Sequence, residues 1–264
     1  MFLRNRIITC IALSTLLILV AVAAFLLWSR PHNRDALWTI AHGKCVPDQR
    51  QHGDPAPCAR VELAGGEDKG YVILKDIRGV AQYLLIPTRR IPGIESADLL
   101  APDAPNYWAK AWENRSFLST RLKRDLAWDK IGLAVNSAHA RGQDQLHVHI
   151  DCVLPDVRDA IARHLGDITS EWTQLPFDLE GLSYFARRLA AADLATKNLF
   201  TLVAQGVPGV AKDMGEESIA LIGATFPQGE NGFVLLAGKV DPRTLDRMHS
   251  EILLDHKCAV ARMK

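Results

Sequence analysis

The sequence has no surplus of charge: 31 Lys and Arg stand against 30 Asp and Glu. With Arg4 and Arg6 at the N-terminus set aside, 29 basic residues face 30 acidic ones. Such a balance leaves no electrostatic footprint for nucleic acid. No Cys-x-x-Cys pair occurs, so the usual zinc spacings are missing. Neither a Walker loop nor a dinucleotide fingerprint is present, which removes two common phosphate-cradling motifs, and the lack of an internal repeat speaks against a solenoid. Charged side chains are missing altogether from Ile7 to Trp28, a run of 22 residues that matches the roughly 20 a helix needs to cross a bilayer.

Ala21-Val22-Ala23 has the composition of a signal-cleavage site, but a cleaved signal carries only roughly 7–15 apolar residues. Phe25-Leu26-Leu27-Trp28 continues the run, so the expectation is an uncleaved anchor with Trp28 near the interface. Residues 1–30 then form a cytoplasmic n-region and a transmembrane helix, and 31–264 a single domain. Arg4 and Arg6 before the run and Arg30 and Arg34 after it nearly balance the positive-inside rule. A hydrophobic fraction of 48% is that of a globular chain with an ample core. Cys10 lies in the apolar run; Cys45, Cys58, Cys152 and Cys258 permit two disulfides in three pairings. A Cys45–Cys58 bond would pin a polar loop and contribute roughly 3 kcal/mol; four buried thiols are the alternative.

Composition and turn signals predict strands over 71–76 and 82–86, joined as a hairpin, and a strand over 131–135. A second hairpin is expected from 218–225 and 232–238. Helical spacing marks 35–41, 106–126, 155–168, 181–189 and 243–256, with a polar loop over 46–57. Trp108, Trp112, Phe117 and Leu122 share a helical face and read as core, and Tyr184 and Arg188 become i,i+4 neighbours. The sum is α+β, with no regular βαβ alternation.

Gln145-Leu146-His147-Val148-His149-Ile150-Asp151-Cys152 alternates polar and apolar residues, the pattern of a half-buried strand. Gln145, His147, His149 and Asp151 share one face, and Leu146, Val148, Ile150 and Cys152 the other. Three chemistries suit such a face. A His-x-His pair can hold zinc, but it needs a third ligand, and along one strand Asp151 stands too far away. Two histidines can simply line a wet sheet surface. Or a neutral imidazole, with one nitrogen held as N–H by an acceptor, can attack phosphorus or carbon with the other. Arg89, on the basic loop 87–95, is a candidate phosphate contact against solvated loop charge.

Several segments together resemble the bacterial CDP-diacylglycerol pyrophosphatases, membrane-anchored members of the histidine-triad superfamily. They are Gly70-Tyr71-Val72-Ile73-Leu74-Lys75-Asp76, Gln82-Tyr83-Leu84-Leu85-Ile86-Pro87-Thr88, Gly93-Ile94-Glu95-Ser96, His147-Val148-His149-Ile150, Pro155-Asp156-Val157-Arg158, Phe233-Val234-Leu235-Leu236-Ala237 and Asp255-His256-x-Cys258. The resemblance implies a HIT-like antiparallel sheet with flanking helices after one transmembrane helix. It also implies hydrolysis of CDP-diacylglycerol to CMP and phosphatidate, and an inner-membrane location with the catalytic domain in the periplasm. Cysteine follows the last triad histidine by three residues in that family, so Cys152 places His149 third and His147, the nucleophile, in the middle. Gln145 takes the first position, where glutamine can hydrogen-bond but cannot act as an acid. The rival register makes His147 first, His149 the nucleophile and Asp151 third. The same resemblance gives Asn136 and Gln143 as substrate contacts beside Gln145 and Arg89, and implies no metal or other cofactor. Transfer of CMP to an acceptor other than water, or a membrane-tethered binding module, would use the same residues.

Overall fold

The computed structural model describes residues 33–210, 213–243 and 246–263, together with Val20 and Val22. Apart from those two valines, the expected membrane anchor over 7–28 lies outside the described residues. Among the described residues no helix is long and apolar enough to cross a membrane. The chain divides into Met1–Asn33 and Arg34–Lys264, and the second unit carries the fold.

That unit opens with α1 (Ala36–Ile40), a π-helical turn (Ala41–Cys45) and α2 (Val46–His52). Strands β1 (Arg60–Glu62), β2 (Tyr71–Lys75) and β3 (Tyr83–Pro87) follow, then α3 (Tyr107–Glu113) and α4 (Ser116–Leu122). Next come β4 (Ile131–Val135), β5 (Val148–Cys152), α5 (Pro155–Arg163), β6 (Thr173–Gln174) and β7 (Phe185–Ala190). After α6 (Asp193–Thr196) and α7 (Leu199–Gly206), β8 (Glu217–Thr225) and β9 (Asn231–Lys239) form a long hairpin. The nine strands of the described residues join one sheet in the order β1-β2-β3-β5-β4-β8-β9-β7-β6, with every neighbouring pair antiparallel. The expected hairpins are present, and the second one completes the same sheet.

One face of the sheet is covered continuously. Ile73, Leu85, Leu133, Val148, Ile150, Leu221 and Leu235 pack there against Trp108, Trp112, Leu118 and Phe200 of the helices, so the aromatics of the 106–126 segment are core. The other face carries two separate clusters. Val72, Leu84 and Ile86 meet Ala41, Cys45 and Val46 over one end, while Ala220, Ile222, Val234 and Leu236 meet Val157, Ile161 and Leu253 over the other. β5 and β4 lie between these clusters, and there the polar face of β5 is found.

Four elements depart from the sequence expectation. The 46–57 loop begins as α2, because Pro47 is tolerated in a first turn and Val46 is buried beside the Cys45–Cys58 disulfide. The 106–126 helix breaks at Asn114, whose side chain bonds the carbonyl of Lys110, Arg60 and the Tyr71 hydroxyl. The 181–189 segment is strand β7: apolar residues at 182, 185, 186 and 189 imitate helical spacing, but six residues pair with β9. Arg188 there pairs with Glu230 over the Phe226 ring and joins no site with Tyr184. The described residues of the 243–256 segment form no α-helix and carry one 3-10 turn, Ser250–Leu253, because their backbone groups bond elsewhere. Ser250 N–H donates to the Ser218 hydroxyl, Asp255 N–H to the Cys152 carbonyl, and the Leu253 carbonyl accepts from Leu154.

Candidate active site

Gln145 to Cys152 is neither half-exposed nor a strand throughout: pairing begins at Val148, so Gln145 and His147 lie just before β5. Gln145 and Asp151 are fully buried, and His147 and His149 are only 9% and 4% exposed. The 249–256 segment and the 87–95 loop close over the face that alternation alone would leave wet. His149 stands opposite Leu84 of β3 and Ala134 of β4, at the seam between the two clusters. Its ring lies 4.8 Å from that of His147, edge to face.

His147 Nδ1 lies 2.8 Å from the backbone carbonyl of Gln145. A carbonyl only accepts, so Nδ1 carries the proton and Nε2 keeps its lone pair. Burial pushes the His147 pKa down, against the Gln145 carbonyl, so the ring is neutral near pH 7. Among the described residues nothing else hydrogen-bonds this imidazole.

Behind His149 stands a polar array that sequence reasoning missed. Gln82 Nε2 donates to His149 Nδ1 at 2.6 Å and to Glu251 Oε1 at 3.2 Å. An amide oxygen turned to that place would face the carboxylate, so the orientation is fixed and the His149 proton sits on Nε2. Among the described residues that buried N–H has no partner, and such a group asks for an acceptor. Glu251 also accepts from Asn136 Nδ2 at 3.1 Å and returns its own N–H to Asn136 Oδ1 at 3.1 Å. Burial disfavours the Glu251 charge, yet His149, Gln82 and Asn136 together hold its pKa below the usual range. His256 bridges Asp151 Oδ2 at 3.1 Å and Glu251 Oε1 at 3.5 Å. The Asp151 hydrogen bond raises the His256 pKa, while burial raises that of Asp151 itself.

The narrow cleft at His147 is lined by Gly93, Ile94, Asn136, Arg141 and Gln145. Arg141 is 11% exposed and pairs with Glu95 at 2.6 Å, and its charge opposes protonation of His147. A Cβ on Gly93 would fall 2.4 Å from the guanidinium and 2.7 Å from the Glu95 carboxylate, so a side chain there would push this ion pair aside.

The other expected contacts are dispersed. Asn136 lies in the cleft, with its amide engaged by Glu251. Gln145 Nε2 donates to the carbonyls of Pro87 and Arg89 at 3.0 and 2.9 Å, and Oε1 accepts from Ile91 N–H at 3.3 Å; it straps the 87–91 loop to the strand. Gln143 accepts from Leu37 N–H at the start of α1. The Arg89 side chain turns to a separate cleft with Lys69, Asp103 and Tyr107, paired with Asp98 at 2.6 Å. Asp151, Cys152 and Cys258 cluster as metal-type donors, but both sulfurs are spent in the Cys152–Cys258 disulfide, which leaves no thiolate to ligate. Gln82 and His256 fall within segments that carried the family resemblance, whereas Glu251 had no signal because its segment reads as a helix.

The fold and site define an α+β protein in which two imidazoles, His147 just before β5 and His149 within it, one with a free nitrogen, are backed by carboxylates and faced by a guanidinium. A profile of the family described as CDH, CDP-diacylglycerol pyrophosphatase, matches residues 32–262. A CDP-diacylglycerol pyrophosphatase of Yersinia pestis is 42% identical over 249 residues, covering 94% of this chain and 93% of that protein. The chain belongs to the CDP-diacylglycerol pyrophosphatase family.

Proposed function

We propose that this chain hydrolyses the pyrophosphate of CDP-diacylglycerol to CMP and phosphatidate through a nucleotidyl-histidine on His147. The observation that carries the assignment is the Nδ1–H bond to the Gln145 carbonyl, which leaves Nε2 as the available lone pair. Nε2 bonds to the phosphorus bearing cytidine, the bond from that phosphorus to the bridging oxygen breaks, and phosphatidate departs with the electron pair. Water then adds to the same phosphorus, the N–P bond breaks, and CMP leaves. His149 Nε2–H and Arg141 meet the phosphoryl oxygens, where positioned donors stabilise developing charge. In the rival register His149 is the nucleophile; its buried Nε2 carries the proton and its Nδ1 accepts from Gln82, which disfavours that reading.

The sheet is a HIT-like fold in this proposal, and 7–28 is a single inner-membrane anchor with the domain in the periplasm. A lipid substrate confined to the bilayer and two disulfides, which persist in oxidising compartments, both support that placement. His147→Ala should lower CMP release by at least about 10³-fold and abolish covalent trapping of labelled nucleotide. Retained trapping would move the nucleophile elsewhere.

A further inference from the structure

Two large aliphatic side chains lie exposed on one short turn. Ile77 is 100% and Val80 49% accessible, both in the β2–β3 connection. The turn is braced: Lys75 Nζ donates to the carbonyls of Asp76 and Gly79, Arg78 N–H donates to Asp76 Oδ1, and Val80 N–H donates to the His256 carbonyl. An isoleucine held in water by this many hydrogen bonds is presented. Around it stand exposed cations. Arg78 is on the turn, Arg121 of α4 donates to the Val80 carbonyl at 3.4 Å, and Lys257 follows His256. Among the described residues none of these three makes an ion pair. The turn also leads straight into the site: the charge of Arg78 reaches His149, and Gln82, just past the turn, donates to that ring.

We propose that the turn Asp76–Ala81 is a docking finger for an anionic phospholipid bilayer, with Ile77 and Val80 entering the interface and Arg78, Arg121 and Lys257 meeting lipid phosphates. The proposal rests on the reading of the substrate as a membrane lipid. The pyrophosphate of such a substrate lies at headgroup depth, so a nearly buried histidine pair must be brought to that depth. Each cation near an anionic leaflet strengthens attachment roughly fivefold, and one buried isoleucine strengthens it roughly tenfold or more. The unpaired charge around the tip favours an anionic surface over an apolar protein partner.

Full-length protein carrying the photo-crosslinker p-benzoylphenylalanine at position 77, reconstituted in vesicles of phosphatidylcholine and phosphatidylglycerol, should form a phospholipid adduct on irradiation. The same group at Leu100, an exposed residue on a different turn, should not. An adduct to a second copy of the chain or to another protein, or no lipid adduct at 77, overturns the proposal. Ile77→Asp and Arg121→Glu should each lower CMP release from CDP-diacylglycerol in anionic vesicles at least fivefold, with release from a short-chain, water-soluble CDP-diacylglycerol unchanged within twofold. Undiminished release from vesicles overturns docking. If the unmodified protein releases no CMP from the soluble substrate, the reaction assignment fails instead, and the lipid adduct alone decides the docking.

Discussion

Replacing Gln145 by glutamate keeps shape and volume but puts an oxygen where the amide nitrogen donates to the carbonyls of Pro87 and Arg89 at 3.0 and 2.9 Å. Two buried hydrogen bonds worth about 1 kcal/mol each are lost, and two carbonyls face an anion, at about 1–3 kcal/mol apiece. The bond from Ile91 N–H survives, since either oxygen accepts it. The expected loss is therefore on the order of 4–8 kcal/mol at neutral pH, roughly an 8–32 °C fall in Tm for a domain of this size. A protonated carboxyl can donate to one carbonyl, so the new group has a raised pKa in the folded state. The loss should be small below the unfolded carboxyl pKa of about 4.3 and full above the folded one. Gln145→Ala, which strands the Ile91 N–H as well, should destabilise similarly at all pH values. Because the backbone carbonyl of residue 145 orients His147, the folded fraction of Gln145→Ala should keep kcat within about tenfold. Tryptophan-detected melting of the full chain in detergent at several pH values, beside CMP release, tests both. Variants as stable as the parent but inactive would refute the strap and return Gln145 to the chemistry.

Four further outcomes concern buried or cross-linked groups. Burial pushes Glu217 from 4.5 up to about 8, and among the described residues neither of its oxygens has a hydrogen-bond partner. The folded state thus binds the proton more tightly, so stability is greatest below about pH 4.5 and declines as pH rises to about 8, with Glu217→Gln flattening that slope. Cys258→Ser opens a link across 106 residues and should cost about 4–5 kcal/mol together with most of kcat, because Glu251 and His256 are carried by the released segment. Opening Cys45–Cys58 should cost about 3 kcal/mol and leave kcat nearly unchanged. Activity that needs a charged His256 should fall as pH rises through its raised pKa, and His256→Asn should remove that limb from the pH profile of kcat.

The histidine pair was legible in the sequence because strand alternation is local: residues two apart share a face whatever the rest of the chain does. The β2–β3 and β8–β9 hairpins were legible for the same reason. Gln82, Glu251 and His256 were not, since Gln82 meets His149 across 67 residues and His256 meets Asp151 across 105, and no periodicity spans such distances. The 243–256 segment misled because its apolar spacing fits a helix, while its backbone donors bond to β-strand ends instead. Gln145 misled differently: its place on the polar face was as expected, but what covers that face is set by the 87–91 loop.

All nine strands are complete by Lys239, yet the site still lacks Glu251, His256 and Cys258 at that point of the chain. A protein truncated just after β9 would retain every strand residue, both histidines, Gln82 and Asn136, but would lack Glu251 and His256 from the array behind His149. The array behind His149 is therefore completed only when residues 249–258 fold back over β5, and the Cys152–Cys258 bond makes that arrival permanent.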